Sequence, residues 1–306
     1  MQLKKIITLA NKNVYLRFTA MERSLRATGC NLPLWVLPYN NDLFELPPNA
    51  QWVDSPELFG WLDSLQLRGV YRKYYCLLQE GYLFVDSDVI FLRNPQKALN
   101  DVEGYITSCG HWHNTVHTTT AYSEIILRGR CTIWQARIFN SGQFACSNAL
   151  YQLPGLHALA QQHAEVCLHR TMHEQPGVNL LVNLSGEPIT NLTLPPHSME
   201  STWAGDYTMD DYEKYWTDEK RKPFIIHWAG RGGQLRCKID YLFFKYLTEE
   251  EKRQWKPATP KQKNRWHHIK QKWKGIIQSF IKSKQLDVHS KITNSLLVGT
   301  FLSFSF

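Results

Sequence analysis

Apolar runs and segments with helical periodicity alternate along the N-terminal third of the chain. A short apolar run covers residues 4–10, and residues 14–28 then place apolar side chains at helical spacing before Gly29. The alternation continues to an apolar segment that ends at residue 91, which gives the order β-α-β-β-α-β. This order predicts an α/β fold with a mostly parallel sheet and helices on its faces. The predicted strands are 4–10, 34–37, 52–53 and 82–91, and the predicted helices are 14–28 and 60–80.

After residue 91 the pattern of apolar and polar positions is weaker. Further along the chain lies the segment Pro257-Ala258-Thr259-Pro260. Proline-rich composition of this kind is typical of a linker. We therefore predict a first domain over residues 1–250 and a C-terminal extension over 251–306. Within the first domain the pattern predicts strands at 105–106, 118–121, 138–140 and 224–228, a helix at 151–168, and a short helix or strand at 176–184.

Two aspartates interrupt the last apolar segment of the N-terminal third. Asp86 and Asp88 stand two residues apart among β-branched, aliphatic and aromatic neighbours. A buried strand end is a costly place for two like charges unless a cation or hydrogen bonds compensate them. Ligands of such sheets bind outside the carboxyl ends of the strands, where this pair would lie. A divalent cation that carries phosphate oxygens fits both observations. The alternative is an acidic loop between two short strands, with both side chains in water.

Composition places the chain among ordinary globular proteins, with 43% hydrophobic and 20% charged residues in a length of 306. The seven cysteines include no C-x-x-C pair, which argues against a zinc site or a disulfide framework and favours a reducing compartment. The apolar run after Lys4 and Lys5 is too short for a signal sequence, and no stretch reaches the ~18 apolar residues of a spanning helix. We therefore predict a cytoplasmic protein.

The net charge of +8 comes from the C-terminal region of the chain. Residues 252–284 contain eleven Lys/Arg and no Asp/Glu, so the remainder carries a net charge of −3. A basic amphipathic helix over 261–284 would be typical of attachment to an anionic membrane surface, here the inner face of the membrane. The alternative is a helix whose apolar stripe packs on the first domain. Nucleic acid is not expected as a partner, because no recognition motif accompanies the charge. The apolar stripe consists of Trp266, Ile269, Trp273, Ile276, Ile277, Phe280 and Ile281.

Four segments in a fixed order carry a family resemblance. They are residues 82–91 with the D-x-D triplet, Phe139-Asn140-Ser141-Gly142, Glu174-Gln175 followed by Asn179-Leu180-Leu181, and Ile226-His227-Trp228-Ala229-Gly230. In this order and spacing the chain resembles nucleotide-sugar-dependent glycosyltransferases of the GT-A fold, over about residues 4–240. The resemblance is closest to glycosyltransferase family 8 and related nucleotide-diphospho-sugar transferases.

The resemblance implies a divalent cation, Mn²⁺ or Mg²⁺, bound by Asp86, Asp88 and His227 and holding the donor diphosphate. Two carboxylate oxygens and one imidazole suit Mn²⁺ better than Ca²⁺. The alternative for His227 is a buried histidine that donates to a backbone carbonyl. The resemblance also implies that the turn of Asn140, Ser141 and Gly142 borders the donor sugar.

Glu174 and Gln175 are the candidates for a catalytic role, although no nucleophile can be named. Glu174 departs from the family, which has aspartate at this position, so its side chain reaches one methylene further. The other expected donor contacts are Leu9, Ala10, Asn11, Arg72, Lys73, Ser87, Gly230 and Arg231. The lysine that the family places shortly after its histidine is missing, and Arg231, Arg236 and Lys238 are its possible substitutes.

These features predict a metal-dependent transferase that moves a hexose-type sugar from a nucleotide-sugar, with UDP as the favoured nucleotide, to a hydroxyl of a glycan or glycolipid acceptor. The resemblance implies retention of the anomeric configuration. The composition and the lack of a signal sequence fit a bacterial enzyme of glycan or glycolipid synthesis. One alternative is a HAD-like phosphatase, since Gly205-Asp206 with Asp210 mimics its second acidic motif. Another is a carbohydrate-binding or membrane-surface protein that keeps the fold without turnover.

Overall fold

The computed structural model describes residues 1–231 and 234–256, and all structural statements below concern these residues. The strands are β1 Lys5–Ala10, β2 Leu34–Pro38, β3 Ala50–Trp52, β4 Tyr82–Asp86, β5 Val89–Phe91, β6 Tyr105–Thr107, β7 Gln143–Cys146, β8 Ile189–Asn191 and β9 Ile225–His227. The α-helices are α1 Tyr15–Ala27, α2 Pro56–Ser64, α3 Pro95–Ala98, α4 Ala121–Arg130, α5 Leu153–Gln162, α6 Ala164–Cys167, α7 Gln175–Ser185 and α8 Glu249–Gln254. The 3₁₀ segments are Lys12–Val14, Gly69–Leu78, Trp134–Arg137, Ala204–Asp206, Tyr212–Trp216 and Lys238–Tyr246.

Seven strands form one mostly parallel sheet in the order β3-β2-β1-β4-β7-β6-β8. β7 alone runs antiparallel to its neighbours β4 and β6. β5 and β9 form a separate antiparallel pair. Because β1, β2 and β4 are parallel, their carboxyl ends lie at one edge, with Leu9 opposite Asp86. The prediction of a mostly parallel sheet between helices is therefore confirmed.

Alternating residues of the central strands build a core on each face of the sheet. Ile7 and Phe84 pack with the 3₁₀ segment 69–78 and with α2, α5 and α7. Ile6 and Val85 point the other way and pack with Phe18 and its neighbours on α1. Both faces are covered, which explains why these strands are apolar throughout rather than alternating with polar residues.

Two predicted helices are interrupted in the structure, and the predicted strand 82–91 is divided into β4 and β5, which lie in different sheets. The helix predicted over 60–80 is instead α2 followed by the 3₁₀ segment 69–78. The chain between them turns at Gln66, which has a positive φ of 56°. The helix predicted over 151–168 is divided at His163 into α5 and α6. The segment predicted as either helix or strand near 176–184 is the helix α7.

Two predicted strands are not strands because side chains engage their backbone. In the segment 118–121, Thr120 caps α4, and its side chain accepts a hydrogen bond from the Ser123 amide. In the segment 138–140, the Phe139 amide donates to the Asn179 side chain at 2.9 Å, and the Phe139 carbonyl accepts from the same side chain at 2.8 Å. A side-chain amide thus replaces the neighbouring strand that the apolar pattern suggested.

Helix α8 is linked to α1 by an ion pair and belongs to the same compact unit as the sheet. The Arg23 guanidinium holds the Glu251 carboxylate with two hydrogen bonds of 2.7 and 2.9 Å. The proposed division at residue 250 stays a prediction, and the amphipathic helix predicted over 261–284 lies outside the described residues. None of the helices in the described part of the chain is long and apolar enough to cross a membrane.

Candidate metal and donor site

Asp86, Asp88 and His227 meet at the carboxyl end of β4. Asp86 is the last residue of β4, and Asp88 directly precedes β5, whose Val89 pairs with His227 on β9. One ligand atom from each side chain lies within 4.8 Å of the other two. The His227 Nε2 atom is 3.3 Å from Asp88 Oδ1 and 3.7 Å from Asp86 Oδ2. The antiparallel pair β5–β9 therefore delivers the histidine to the acidic pair.

Backbone bonds fix His227 in this place. Its amide donates to the Thr202 carbonyl at 2.7 Å, and the Trp228 amide donates to the Asp88 carbonyl at 3.0 Å. The buried Trp228 indole donates to Asp240 at 2.8 Å. The backbone that carries the imidazole is thus held partly by Thr202 and Asp240, which sequence reasoning did not single out.

The carboxylates and the histidine shift each other's pKa. Burial raises the pKa of Asp86 above its usual value, although Lys73 and His227 act in the opposite direction. Burial alone would lower the pKa of His227, but the Asp88 and Asp86 carboxylates outweigh it and raise the pKa. The same pairing lowers the pKa of Asp88 against the effect of burial. A positive charge is therefore favoured at the centre of this cluster.

The turn of residues 140–142 closes one side of the cluster, where its Gly142 has no side chain. A Cβ atom on Gly142 would overlap the His227 imidazole and lie 2.8 Å from Asp86 Oδ2. The turn is held by Asn140, whose side-chain oxygen accepts from the Gly142 amide at 2.9 Å, and by the Asp86 amide, which donates to the Gly142 carbonyl at 2.8 Å. Only glycine fits here with the histidine in its present position.

The N-terminus of α7 holds the same turn from the other side. Glu174 accepts from the Ser141 hydroxyl at 2.8 Å, and the Gln175 side-chain oxygen accepts from the Ser141 amide at 2.9 Å. The Gln175 side-chain nitrogen donates to the His117 carbonyl at 2.7 Å. Both ends of the Gln175 amide are therefore engaged in positioning loops beside the cluster.

Lys73 joins the cluster from the 3₁₀ segment 69–78. Its ammonium lies 2.9 Å from Asp86 and 2.7 Å from Glu174. Burial alone would lower the pKa of Lys73, but these two carboxylates outweigh it and raise the pKa. The other basic residue expected here, Arg72, turns away and binds the Pro38 carbonyl at 2.7 Å and Asp63 at 3.0 Å.

Other predicted site residues lie at the rim or outside the cluster. Arg231 binds the buried Asp240 carboxylate at 2.8 and 3.0 Å, so its charge is directed to the 3₁₀ segment 238–246. Gly230 adopts a left-handed conformation with φ of 72°.

Leu9 and Ala10 are buried at the end of β1, and the Asn11 side chain donates to Asn40 at 3.3 Å. Ser87 is buried between the two aspartates.

The donor set fits a divalent cation of the Mn²⁺ or Mg²⁺ kind. It offers two carboxylates and one imidazole at a strand end, and the missing Cβ of Gly142 lets the imidazole lie close to the carboxylates. Carboxylates suit Mg²⁺ and Mn²⁺, and imidazole shifts the preference toward transition metals. Within residues 1–231 and 234–256 this is the single group of its kind.

Three features of the site were missed by sequence reasoning. The bridging position of Lys73 between Asp86 and Glu174 depends on the break in the predicted 60–80 helix. The contact of Trp203 with His227, a parallel bridge, has no sequence signal of its own. The Asp240 carboxylate was not considered, although it is buried beside Trp228 and binds Arg231.

The phosphatase alternative is not favoured by this geometry. Its second acidic motif would need Asp206 beside the first acidic pair. Asp206 instead pairs with His111 at 3.0 Å, and it does not belong to the one metal-binding group among the described residues.

Comparison with protein families matches residues 76–242 to the nucleotide-diphospho-sugar transferase family. The matched region contains all four segments on which the resemblance rests. The chain belongs to this family and is a glycosyltransferase. Comparison with curated protein sequences gives no match.

Solved glycosyltransferases share the fold. A galactosyltransferase, LgtC in complex with donor and acceptor sugar analogues, has 14% identity and a TM-score of 0.54, with 82% of this chain and 100% of that chain covered. An active-site mutant of LgtC with glutamine changed to glutamate has 15% identity and a TM-score of 0.51, with coverages of 81% and 99%. The bifunctional glycosyltransferase WbbM has 14% identity and a TM-score of 0.50, with 82% of this chain covered. This chain spans about half of WbbM, 51% of its length. The GT-A fold prediction is therefore confirmed.

We predict that Gly142→Ala displaces His227 and disrupts the cluster. The added methyl should cost about 1–3 kcal/mol of unfolding free energy through overpacking. It should also lower sugar transfer or donor hydrolysis about tenfold or more, the usual scale when a metal ligand loses its orientation. Urea unfolding and a nucleotide-release assay measure the two effects.

Gly129→Ala is the matched control, because nothing lies within 4 Å of the added methyl on α4. This control should gain about 0.5–1 kcal/mol from helix propensity and keep full activity. Full activity in Gly142→Ala would contradict the proposed packing of the turn on His227.

Proposed function

We propose that this glycosyltransferase uses Asp86, Asp88 and His227 to hold a divalent cation, Mn²⁺ or Mg²⁺, for binding of a nucleoside-diphosphate sugar. The observation that carries the proposal is the meeting of these three ligand atoms at the edge where the parallel strands end. When bound, such a cation neutralises the negative charge that develops on the departing diphosphate. The protein's own side chains orient the carboxylates and the imidazole of the cation site.

The charges around the site support this proposal. Asp86, Asp88 and Glu174 carry three negative charges, and the Lys73 ammonium balances one of them. The Arg17 charge also acts on Asp88, and the carboxylates still outnumber the cationic side chains, which suits a divalent cation beside a neutral His227. Of these carboxylates, Asp88 and Asp86 raise the pKa of His227, which shows that they favour a positive charge beside them.

A cavity of about 350 Å³ beside the end of β2 supports a place for the base and ribose. Its lining includes Tyr39, Asn40 and Arg72. Asn40 accepts from Asn11, the residue that follows β1, so the cavity adjoins the strand ends near Asp86. We propose that Arg72 borders the nucleoside in this cavity, that Leu9, Ala10 and Asn11 border it from the adjoining end of β1, and that Ser87 lies against the diphosphate.

The acceptor side and the stereochemistry follow from the same proposal. We expect a hexose-type sugar from UDP, a glycan or glycolipid hydroxyl as acceptor, and retention of configuration. The turn 140–142 would border the sugar, with Gly230 and the backbone after His227 beside the diphosphate.

An active-site glutamine in LgtC supports a position for Gln175 next to the reacting centre. Since both ends of the Gln175 amide bind loops, we propose that it orients the site rather than attacks the sugar.

We predict that Asp88→Asn abolishes Mn²⁺-dependent donor binding while the fold is retained. The amide removes one charged ligand but still accepts a hydrogen bond from His227, and it relieves repulsion with Asp86. Thermal shifts with UDP-, GDP-, CMP- and dTDP-sugars, each with and without Mn²⁺, measure the effect. A ligand at 100 times its Kd stabilises the folded state by about 2.7 kcal/mol, and this gain should disappear.

Asp101→Asn is the matched control, because Asp101 is exposed and precedes β6 at the opposite end of the strands. It should bind the donor as the unchanged protein does. Normal Mn²⁺-dependent donor binding by Asp88→Asn would contradict the metal site.

We further propose that the basic C-terminal region attaches this cytoplasmic enzyme to an anionic membrane surface. The support is the sequence alone, namely eleven cationic residues without an acid over 252–284 and the apolar stripe that contains Trp273. Each cation near an anionic surface contributes about 1 kcal/mol, and salt screens this attraction. Inserted aromatic side chains add an apolar contribution that salt does not remove.

We predict binding to acidic vesicles, partial release in high salt, and a stronger loss of binding with Trp273→Glu. Truncation before Pro257 should remove vesicle binding and spare donor hydrolysis. If the helix instead packs on the catalytic domain, truncation would cause aggregation or loss of activity. Co-sedimentation of the full chain and of the truncated chain decides between the two, and no binding at low salt would contradict membrane attachment.

A further inference from the structure

Lys73 is a buried cation with every donor engaged. It is 4% exposed, and its ammonium contacts Asp86 Oδ1 at 2.9 Å, Glu174 Oε1 at 2.7 Å and the Ser141 carbonyl at 3.3 Å. An ammonium has three N–H donors, and three acceptors surround this one. No donor is left over for a hydroxyl of a bound sugar.

The three acceptors belong to three separate segments of the site. Asp86 ends β4, Ser141 lies in the turn that packs on His227, and Glu174 directly precedes α7. The Lys73 ammonium itself lies 5.1 Å from the centre of the Phe84 ring on β4. One side chain from the 3₁₀ segment 69–78 therefore joins three of the segments that surround the acidic pair.

We call the contacts of the Lys73 ammonium with Asp86, Ser141 and Glu174 the Lys73 junction. The orientation of the Asp86 carboxylate shows the effect of this junction on the site. Lys73 binds Oδ1 of this carboxylate, while Oδ2 is the oxygen that faces His227. The same ammonium neutralises Glu174, which is 4% exposed and also accepts from the Ser141 hydroxyl. Removal of the ammonium would leave Glu174 a buried carboxylate without its cation and would free Asp86 to rotate.

We propose that Lys73 is a positioning residue and not a contact to the donor. It directs Asp86 Oδ2 toward the metal position and fixes the turn on which His227 packs. The proposal rests on the proposed metal-dependent function and assigns Lys73 a different role from the donor contact that the family resemblance implied.

Binding of nucleotides with and without the sugar separates the two roles. The probes are UDP, GDP and dTDP and their glucose conjugates, titrated calorimetrically in Mn²⁺ into the unchanged protein, Lys73→Met and Lys73→Arg. We expect Lys73→Met to weaken the nucleoside diphosphate and its glucose conjugate by the same factor, about tenfold or more. Lys73→Arg keeps the charge and the donors and should restore most of the affinity. Weakening of the glucose conjugate alone would show a direct sugar contact and overturn the proposal.

Lys5→Met is the matched control for loss of a partly buried lysine. Lys5 lies at the start of β1, the opposite end of the sheet, where its ammonium donates to Gln79 at 2.8 Å. We expect this variant to bind nucleotides as the unchanged protein does. An equal loss of affinity in Lys5→Met would mean that the effect of Lys73→Met is only a general loss of stability.

A second measurement needs no nucleotide. Urea unfolding of Lys73→Met, Glu174→Gln and the double variant forms a double-mutant cycle. We expect the double variant to be more stable than Lys73→Met, because Glu174→Gln removes the buried charge that has lost its partner. Additive losses would overturn the proposed junction. If no probe binds the unchanged protein, the proposed function fails, and the cycle still tests the junction by itself.

Discussion

Charge balance at the end of β4 is the constraint on which the site depends. Three carboxylates, Asp86, Asp88 and Glu174, are brought together where the sheet and its helices exclude most water, and such a cluster is unstable by itself. Lys73 compensates it from one side and His227 from the other. The glycine turn and the backbone bonds around His227 keep these groups close enough to act together. The strand ends thus create a place between Asp86, Asp88 and His227 that needs a positive charge, and the proposed metal ion would supply it.

The pairing of the strands fixes where Asp86, His227 and the turn 140–142 lie. Asp86 lies at the sheet edge because β4 is parallel to β1, and His227 reaches it because β9 pairs with β5 directly after the acidic pair. Asn140 and Gly142 precede β7, whose antiparallel pairing with β4 returns the chain to the same edge. Residues that are more than 130 positions apart thus converge through strand pairing alone.

Sequence reasoning found the strands with continuous apolar runs, such as 4–10 and the part of 82–91 before the acidic pair, because burial on both faces leaves a simple pattern. It did not separate β5 from β4, because the apolar run resumes directly after Asp88 although β5 pairs in a different sheet. It also found Asp86, Asp88 and His227, since charged or polar residues at the ends of apolar runs stand out. It failed where side chains replace backbone partners, as Thr120 and Asn179 do, because those bonds have no periodic signal. It expected both Arg72 and Lys73 to contact the donor. In the 3₁₀ segment Arg72 instead pairs with Asp63, and Lys73 pairs with Asp86. Arg231 was expected at the diphosphate, and only the burial of Asp240 reveals its structural partner.

The most direct test of the account is the position of manganese in crystals grown with MnCl₂ and a nucleoside diphosphate, located by anomalous scattering. The account predicts one manganese peak within about 2.0–2.6 Å of carboxylate oxygens of Asp86 and Asp88 and of the His227 Nε2 atom, with diphosphate oxygens on its open side. A diphosphate held without manganese at these residues, or manganese bound elsewhere in the site, would contradict it.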